Sequence, residues 1–205
     1  MPEEIGLFEA MYTQRAIRHY KPDPVPDELI RKLIEAASKA PSGANSQKWH
    51  FVVIRNADTK RRIGEYYWQS WEAAYGSQAA TPPAIADNVK ASATHLAEHM
   101  LEAPVLIMAC IEHDGSPSTL GRGSSIYPAV QNLLLAARGL GLGSVITTLH
   151  KRFEQEIKDI LGIPAKVETA ALLPIGYPAE GVAYGPTRRA PVDEITSWER
   201  WGSQG

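Results

Sequence analysis

The helical repeat of residues 125–140 constrains this chain more than any other feature. Val130, Leu133, Leu134, Ala136, Ala137 and Leu140 make it apolar over a broad face rather than a narrow stripe. Such a helix has to be covered on more than one side, so it belongs at the centre of a fold or in an interface between two chains. Apolar runs suited to buried strands flank it, at residues 104–111 (PVLIMACI) and 143–148 (GSVITT). Val167, Thr169, Ala171 and Leu173 alternate in a further strand reaching residues 175–178, and FVVI at 51–54 reads as another, ended by RNAD. Leu29, Ile30, Leu33, Ile34 and Ala37 recur at helical spacing in a helix that starts at Pro26 and ends near Ala40. Short helices are expected at 5–13 and around Phe153, Ile157, Ile160 and Leu161, the second capped by Gly162.

At 205 residues the chain reads as one domain, 1–205, with no internal repeat and no low-complexity linker. A net charge of −2 supplies no electrostatic argument for nucleic acid or for an anionic membrane surface. No apolar stretch reaches the roughly 18 residues of a membrane span, and the acidic start Met1-Pro2-Glu3-Glu4 lacks a targeting pattern, so a cytoplasmic location is expected. The single cysteine, Cys110, sits inside the 104–111 strand and reads as a packed thiol rather than a nucleophile.

Between the second helix and the FVVI strand lies the loop 40–49, APSGANSQKW. Pro41 and Gly43 allow a tight path, while Ser42, Asn45, Ser46 and Gln47 supply donors and acceptors beside Trp49. It is either a cradle for a polar, planar small molecule or a well-made turn. The middle of the chain, about 60–100, is helical with breaks at Tyr75-Gly76 and Thr81-Pro82-Pro83, and carries Tyr66, Tyr67, Trp68, Trp71 and Tyr75. Those aromatics suit a lid or partner-facing surface, with Trp68 and Trp71 the candidates for such a lid, or else the packed side of an amphipathic helix. The tail from Ala179 onward has no core pattern of its own, yet holds Trp198 and Trp201.

Two motifs are decoys. GLGLG at 139–143 ends a helix and precedes a strand, the reverse of a dinucleotide-binding turn, so these glycines terminate the helix. HLAEH at 95–99 matches H-x-x-E-H, but a third zinc ligand is wanting apart from distant Glu168, and a solvated helix face is the simpler reading. No nucleophile elbow, Walker loop or spaced cysteine set is present. The absence of a protein nucleophile or a dedicated acid–base pair points toward chemistry carried by a cofactor. Arg15, Arg18, Arg188 and Arg189 are suited to pair with phosphate oxygens.

Taken together, five segments resemble the flavin-dependent nitroreductase family. QRAIRHY at 14–20 is similar to its R-R-S-I-R-x-F opening, and APSGANSQKW at 40–49 to its A-P-S-G-x-N-x-Q-P-W loop. The helix and turn at 131–144, LLPIGYP at 172–178 and RRAP at 188–191 complete the order. The resemblance implies an α+β sandwich, a mostly antiparallel sheet flanked by helices, in an intertwined homodimer with one FMN per interface. It implies that Arg15, Ala16 and Arg18 meet the FMN phosphate and ribityl chain, with Arg189 closing on the phosphate. Pro41, Ser42, Asn45 and Ser125 would reach the flavin from the partner chain, and Ile146, Thr147, Thr148 and Leu149 would pass beside the ring. No side chain is assigned as catalytic and none as a metal ligand. Ala16 and Lys48 depart from the family's serine and proline. The implied activity is ping-pong hydride transfer from NAD(P)H to a nitroaromatic, quinone or related acceptor. A specialised dehydrogenation or reductive dehalogenation, or FMN binding without turnover, are the alternatives.

Overall fold

The strand β2 (Val105–Glu112) organises the molecule, because all but its last residue are buried and its two faces serve different layers. In the computed structural model, which describes residues 5–76 and 87–203, β2 pairs on one side with β1 (Trp49–Ile54) and on the other with β4 (Val167–Gly176). A two-residue strand, β3 (Gly143–Ser144), extends the far edge, giving the order β1-β2-β4-β3 with each pair antiparallel. A parallel bridge joins Ala16 to Ser144. The fold is α+β.

Period-two alternation along β2 divides the core. Val105, Ile107, Ala109 and Ile111 face a layer built by α2 (Asp27–Ala37) and α5 (Leu120–Gly139). Leu106, Met108 and Cys110 face α3 (Ala57–Tyr75), α4 (Asp87–Glu98) and α6 (Glu154–Leu161). Burial pushes the Cys110 thiol up to about 12, and its Sγ donates only to the Met108 carbonyl at 3.8 Å. It is a packed hydrophobe. The remaining helix, α1 (Leu7–Thr13), lies against α5 through Arg138, whose Nε donates to Thr13 Oγ1 at 2.8 Å.

The broad apolar helix is central, as its composition requires, but it starts five residues before 125, at Leu120. Its first turn is LGRGSS, invisible to a hydrophobic count, and is capped by Thr119 Oγ1 accepting from the Arg122 N–H at 3.1 Å. The GLGLG glycines end α5 and turn the chain, Gly141 taking φ +74°. Gly162 likewise caps α6 at φ +64°.

The strand expected at 143–148 is shorter. After Ser144 the ladder opens while Val145 turns into the core and Ile146 stands 42% exposed; it closes again where Thr147 and Leu172 exchange backbone hydrogen bonds of 3.1 and 2.9 Å. The alternation read into β4 is also broken. A bulge between Ala109 and Cys110 pairs Cys110 with Thr169, which moves Thr169 to the face opposite Ala171 and Leu173.

Large apolar side chains remain exposed on α1 (Phe8 66%, Tyr12 68%) and on the tail, where Trp198 and Trp201 are 60% and 101% exposed. Among the described residues no helix is long and apolar enough to cross a membrane. The expected break at Thr81-Pro82-Pro83 lies outside the described residues. Leu133 is fully buried between α5 and the sheet. Leu133→Ala is expected to cost about 2–5 kcal/mol of stability, read as a lower denaturant midpoint at unchanged slope.

Candidate functional site

The site starts from two glycines that face each other across β3 and β4, Gly143 and Gly176. A Cβ on Gly143 would meet Ile17 Cγ2 at 2.5 Å, and one on Gly176 would meet Pro104 Cδ at 2.7 Å and Tyr20 Cδ1 at 3.0 Å. Their bare backbone lets residues 15–20 lie directly against the edge of the sheet. Ile17 N–H donates to the Ser144 carbonyl at 3.0 Å, and Lys21 N–H to the Tyr177 carbonyl at 2.8 Å. Ile17 is buried at 2% exposure, so its neighbours turn outward, Ala16 exposed and Arg18 half-buried.

Arg18 is the chemically telling group. Burial lowers its pKa, the Tyr67 and Tyr20 rings lie near it, and it forms no ion pair among the described residues. A desolvated guanidinium without a carboxylate is unfavourable unless an anion arrives. It borders a pocket of about 240 Å³ whose second wall is the stretch Ile146, Thr147, Thr148 and Leu149. Four of the expected cofactor residues therefore stand beside Arg18, with the apolar Ile146 side chain turned out.

The third wall comes from α3, where Tyr67, Trp71 and Tyr75 recur every four residues on one face. The Trp71 and Tyr75 rings are 4.6 Å apart at 38°. Thr147 fixes the floor: its hydroxyl donates to the Leu172 carbonyl at 2.7 Å, and Tyr67 stands beside it. Of the two tryptophans expected in a lid, Trp71 lines the pocket. Trp68 does not; it is one residue out of phase and packs toward the α3–α4–α6 core. Tyr67 and Tyr75, from the same aromatic group of residues 66–75, line the pocket beside Trp71. α4 closes the pocket with Val89, Lys90, Ala93 and Leu96.

The loop 40–49 is strained rather than merely flexible. Ala44, Asn45 and Gln47 all take φ near +50°, while Gly43, the residue expected to supply that freedom, does not need it. Ser42 organises the turn, its carbonyl accepting from Asn45 N–H (2.9 Å) and its Oγ from Gln47 N–H (3.0 Å). Gly43 N–H donates to Ser125 Oγ at 3.1 Å, which joins this loop, together with Pro41, to the central helix. Ser42, Asn45 and Ser125 thus form one cluster, separate in its contacts from the cluster around Arg18.

A groove of about 680 Å³ begins on the other side of Thr148 and runs along the first turns of α5 past Ser124 and Tyr127. Its charged floor is Arg122 paired with Glu168 at 2.6 Å, with Lys151 on the other Glu168 oxygen at 3.3 Å. Burial alone would raise the Glu168 carboxyl, but hydrogen bonds from Arg122, Ser118 and Lys151 hold it at about 2. Beneath lies His150, fully buried. Glu154 Oε1 accepts both the Thr169 N–H and hydroxyl, so Thr169 Oγ1 is left to accept from His150 Nε2 at 3.0 Å. His150 Nδ1 has no partner, and burial lowers the imidazole to about 4.

Arg15 is exposed on the outer side of the 15–20 segment. Arg189 lies on the exposed tail, its Nη1 donating to the Arg188 carbonyl at 3.1 Å, and no described contact brings it to Arg15 or Arg18. The H-x-x-E-H histidines are not a ligand pair with Glu168, which is held in the Arg122–Lys151 cluster on β4. They stack with His19 instead, at 3.8 Å between His19 and His95 and 4.3 Å between His95 and His99. Among the described residues no group of His, Cys, Asp and Glu has metal-binding geometry.

The buried network sets the acid limb of stability. His150 is neutral in the fold, so its contribution is complete above its ordinary 6.5 and is lost as pH falls toward about 4; that of Glu168 persists above 4.5 and is lost as pH falls toward about 2. His150→Gln is expected to flatten the thermal midpoint between pH 6.5 and 4, leaving the lower Glu168 step in place.

Residues 12–177 match the model of the Nitroreductase family. The chain is 30% identical to an NADH dehydrogenase of Thermus thermophilus over 201 residues, covering 92% of this chain and 94% of that protein. It is 32% identical to the iodotyrosine deiodinase of Drosophila melanogaster over 197 residues, covering 92% of this chain and 68% of the other. Among solved structures it resembles an iodotyrosine deiodinase bound to FMN and 3-iodo-L-tyrosine, with a TM-score of 0.73 at 24% identity over 95% of this chain and 99% of that one. With its glycine-backed arginine segment, strained 40–49 loop and central helix all inside the matched span, the chain belongs to the Nitroreductase family.

Proposed function

We propose that the chain is an FMN-dependent oxidoreductase that takes reducing equivalents from NAD(P)H and delivers them to a small aromatic acceptor. The observation that carries this reading is Arg18, a desolvated cation without a carboxylate, set beside the apolar Ile146 wall. That combination suits a ligand with an anionic end and a planar apolar body. FMN fits it, and when bound supplies the hydride-accepting and hydride-donating centre that no side chain here provides.

The residues then divide the work. Arg15 and Arg18, with Ala16 between them, hold the phosphate and ribityl end, Ala16 contributing backbone only, and Arg189 closes on the phosphate. The 146–149 stretch lies along the ring, and Thr147 is immobilised by its hydrogen bonds to Leu172 so that this wall keeps its shape. Trp71 and Tyr75 stack on whatever occupies the outer half of the pocket and exclude water from it. The pocket in one chain, about 240 Å³, is smaller than ordinary ligand sites, and the Ser42–Asn45–Ser125 cluster stands apart from Arg18. Both facts support a homodimer in which Pro41, Ser42, Asn45 and Ser125 serve the partner's flavin. Exposed Phe8, Tyr12, Trp198 and Trp201 are then covered by the second chain. A cytoplasmic setting with NAD(P)H fits this reading.

Reductive dehalogenation of an aromatic is the second reading, favoured by the similarity to iodotyrosine deiodinases. The test is the absorbance spectrum of the purified protein, titrated anaerobically with NADH and NADPH, followed by nitroaromatic, quinone and halophenol acceptors. A flavin spectrum bleached by a nicotinamide donor and restored by one acceptor class is expected; a colourless protein overturns the reading. Arg18→Gln is expected to weaken FMN binding about 10- to 100-fold, in line with roughly 1.5–3 kcal/mol for a hydrogen bond to a charged group. Arg189→Glu should empty the site, and full flavin retention would refute the phosphate assignment.

A further inference from the structure

His19, His95 and His99 form a continuous stack of three rings, 3.8 and 4.3 Å between successive centroids and within 19° of parallel. The stack bridges two parts of the site. His19 follows Arg18 on the segment that lies against the sheet edge, and its carbonyl accepts from the Ala179 N–H at 3.0 Å. His95 lies in the last turn of α4 and His99 just beyond it, and Val89, Lys90, Ala93 and Leu96 of the same helix wall the pocket. Whatever holds the rings together therefore holds the pocket wall against the segment that carries Arg18.

Imidazoles stack this closely only when they are not all charged. His99 Nδ1 donates to the His95 carbonyl at 2.9 Å, at the C-terminus of α4. A proton on the middle ring would set a charge between two imidazoles that crowd it from both sides. The groups facing His95 are His19 from the 15–20 segment, His99 and Glu98 from α4, and Glu102 from the turn beyond. From α3, Tyr67 is engaged with Thr147 and the Lys60 ammonium with the Ala103 carbonyl at 2.7 Å. Burial, then the two flanking imidazoles, lower the His95 pKa against the opposing pull of Glu102 and Glu98.

We propose that the His19–His95–His99 stack is a pH-sensitive latch that keeps α4 seated on the Arg18 segment while its middle ring, His95, is neutral and releases it when that ring takes up a proton. The sign follows from linkage. The latched form binds fewer protons than the released form, so it is favoured above the ordinary histidine pKa of about 6.5 and lost as pH falls below it. Release shifts about tenfold per pH unit for each extra proton the open form takes up. Its consequence for turnover rests on the oxidoreductase reading above; the latch itself does not.

The test compares amide hydrogen exchange of residues 87–98 at about pH 5.5 and about pH 7.5, either side of the histidine value, corrected for intrinsic rates and with α5 as the internal reference. The expected result is α4 protection lost at the lower pH in the wild-type protein, retained at both in His95→Phe, which keeps a stacking ring without a proton site, and lost at both in His95→Lys. If His95→Phe does not fold, His95→Gln makes the same comparison. Equal wild-type protection at both pH values, or an unchanged pH response in the phenylalanine or glutamine variant, overturns the proposal. On the same samples, counted by bound flavin, acceptor KM is expected to rise at low pH with little change in kcat. Samples without flavin would defeat the oxidoreductase reading and leave the exchange result standing.

Discussion

The structure depends on one close approach, that of residues 15–20 to the sheet edge over Gly143 and Gly176. Any Cβ at either position would collide with Ile17, Tyr20 or Pro104. With the backbone bare, Ile17 can insert into the core and bond to Ser144, and the same alternation turns Arg18 into the pocket. One packing constraint thereby sets where a half-buried cation stands, where the aromatic face of α3 must meet it, and where His19 stacks on α4.

The central strand and central helix explain why that edge is rigid enough for such an arrangement. β2 is covered on both faces, so each of its neighbours is held in register by side chains from two layers. The bulge opposite Cys110 is the one place where register changes, and it has a chemical consequence. It turns Thr169 from the α5 side to the α6 side, where it joins His150 and Glu154 beneath the 146–149 wall. Strain is stored instead in the 40–49 loop, on three non-glycine residues in left-handed conformations. That is characteristic of a segment shaped for contact rather than for economy of folding.

Much of the architecture was legible in residue order. Broad apolarity put the 125–140 helix in the middle, glycines ended it, and the family resemblance placed Arg18 and the 146–149 stretch in one site. The features that were not legible share a cause. The start of α5 is polar and glycine-rich, so no hydrophobic count could reach back to Leu120. The bulge in β4 left an alternating pattern that looked unbroken. Trp68 and Trp71 look equivalent in sequence and both touch the α3–α4–α6 core, but only Trp71, in phase with Tyr67 and Tyr75 on the helix, also lines the pocket.

The sequence alone determined the element types, the covered helix, the position of the glycine turns and the family to which the chain belongs, because these rest on local periodicity and on short ordered motifs. Tertiary structure decided what each polar residue does. The H-x-x-E-H histidines read as a solvated face rather than as metal ligands, and became part of a ring stack only because His19, 76 residues earlier than His95, is laid beside them. Glu168, the distant third ligand in sequence, is instead neutralised by Arg122 and Lys151. Charge, burial and ring contact depend on groups far apart in the chain, and those are set when the sheet edge closes over its two glycines.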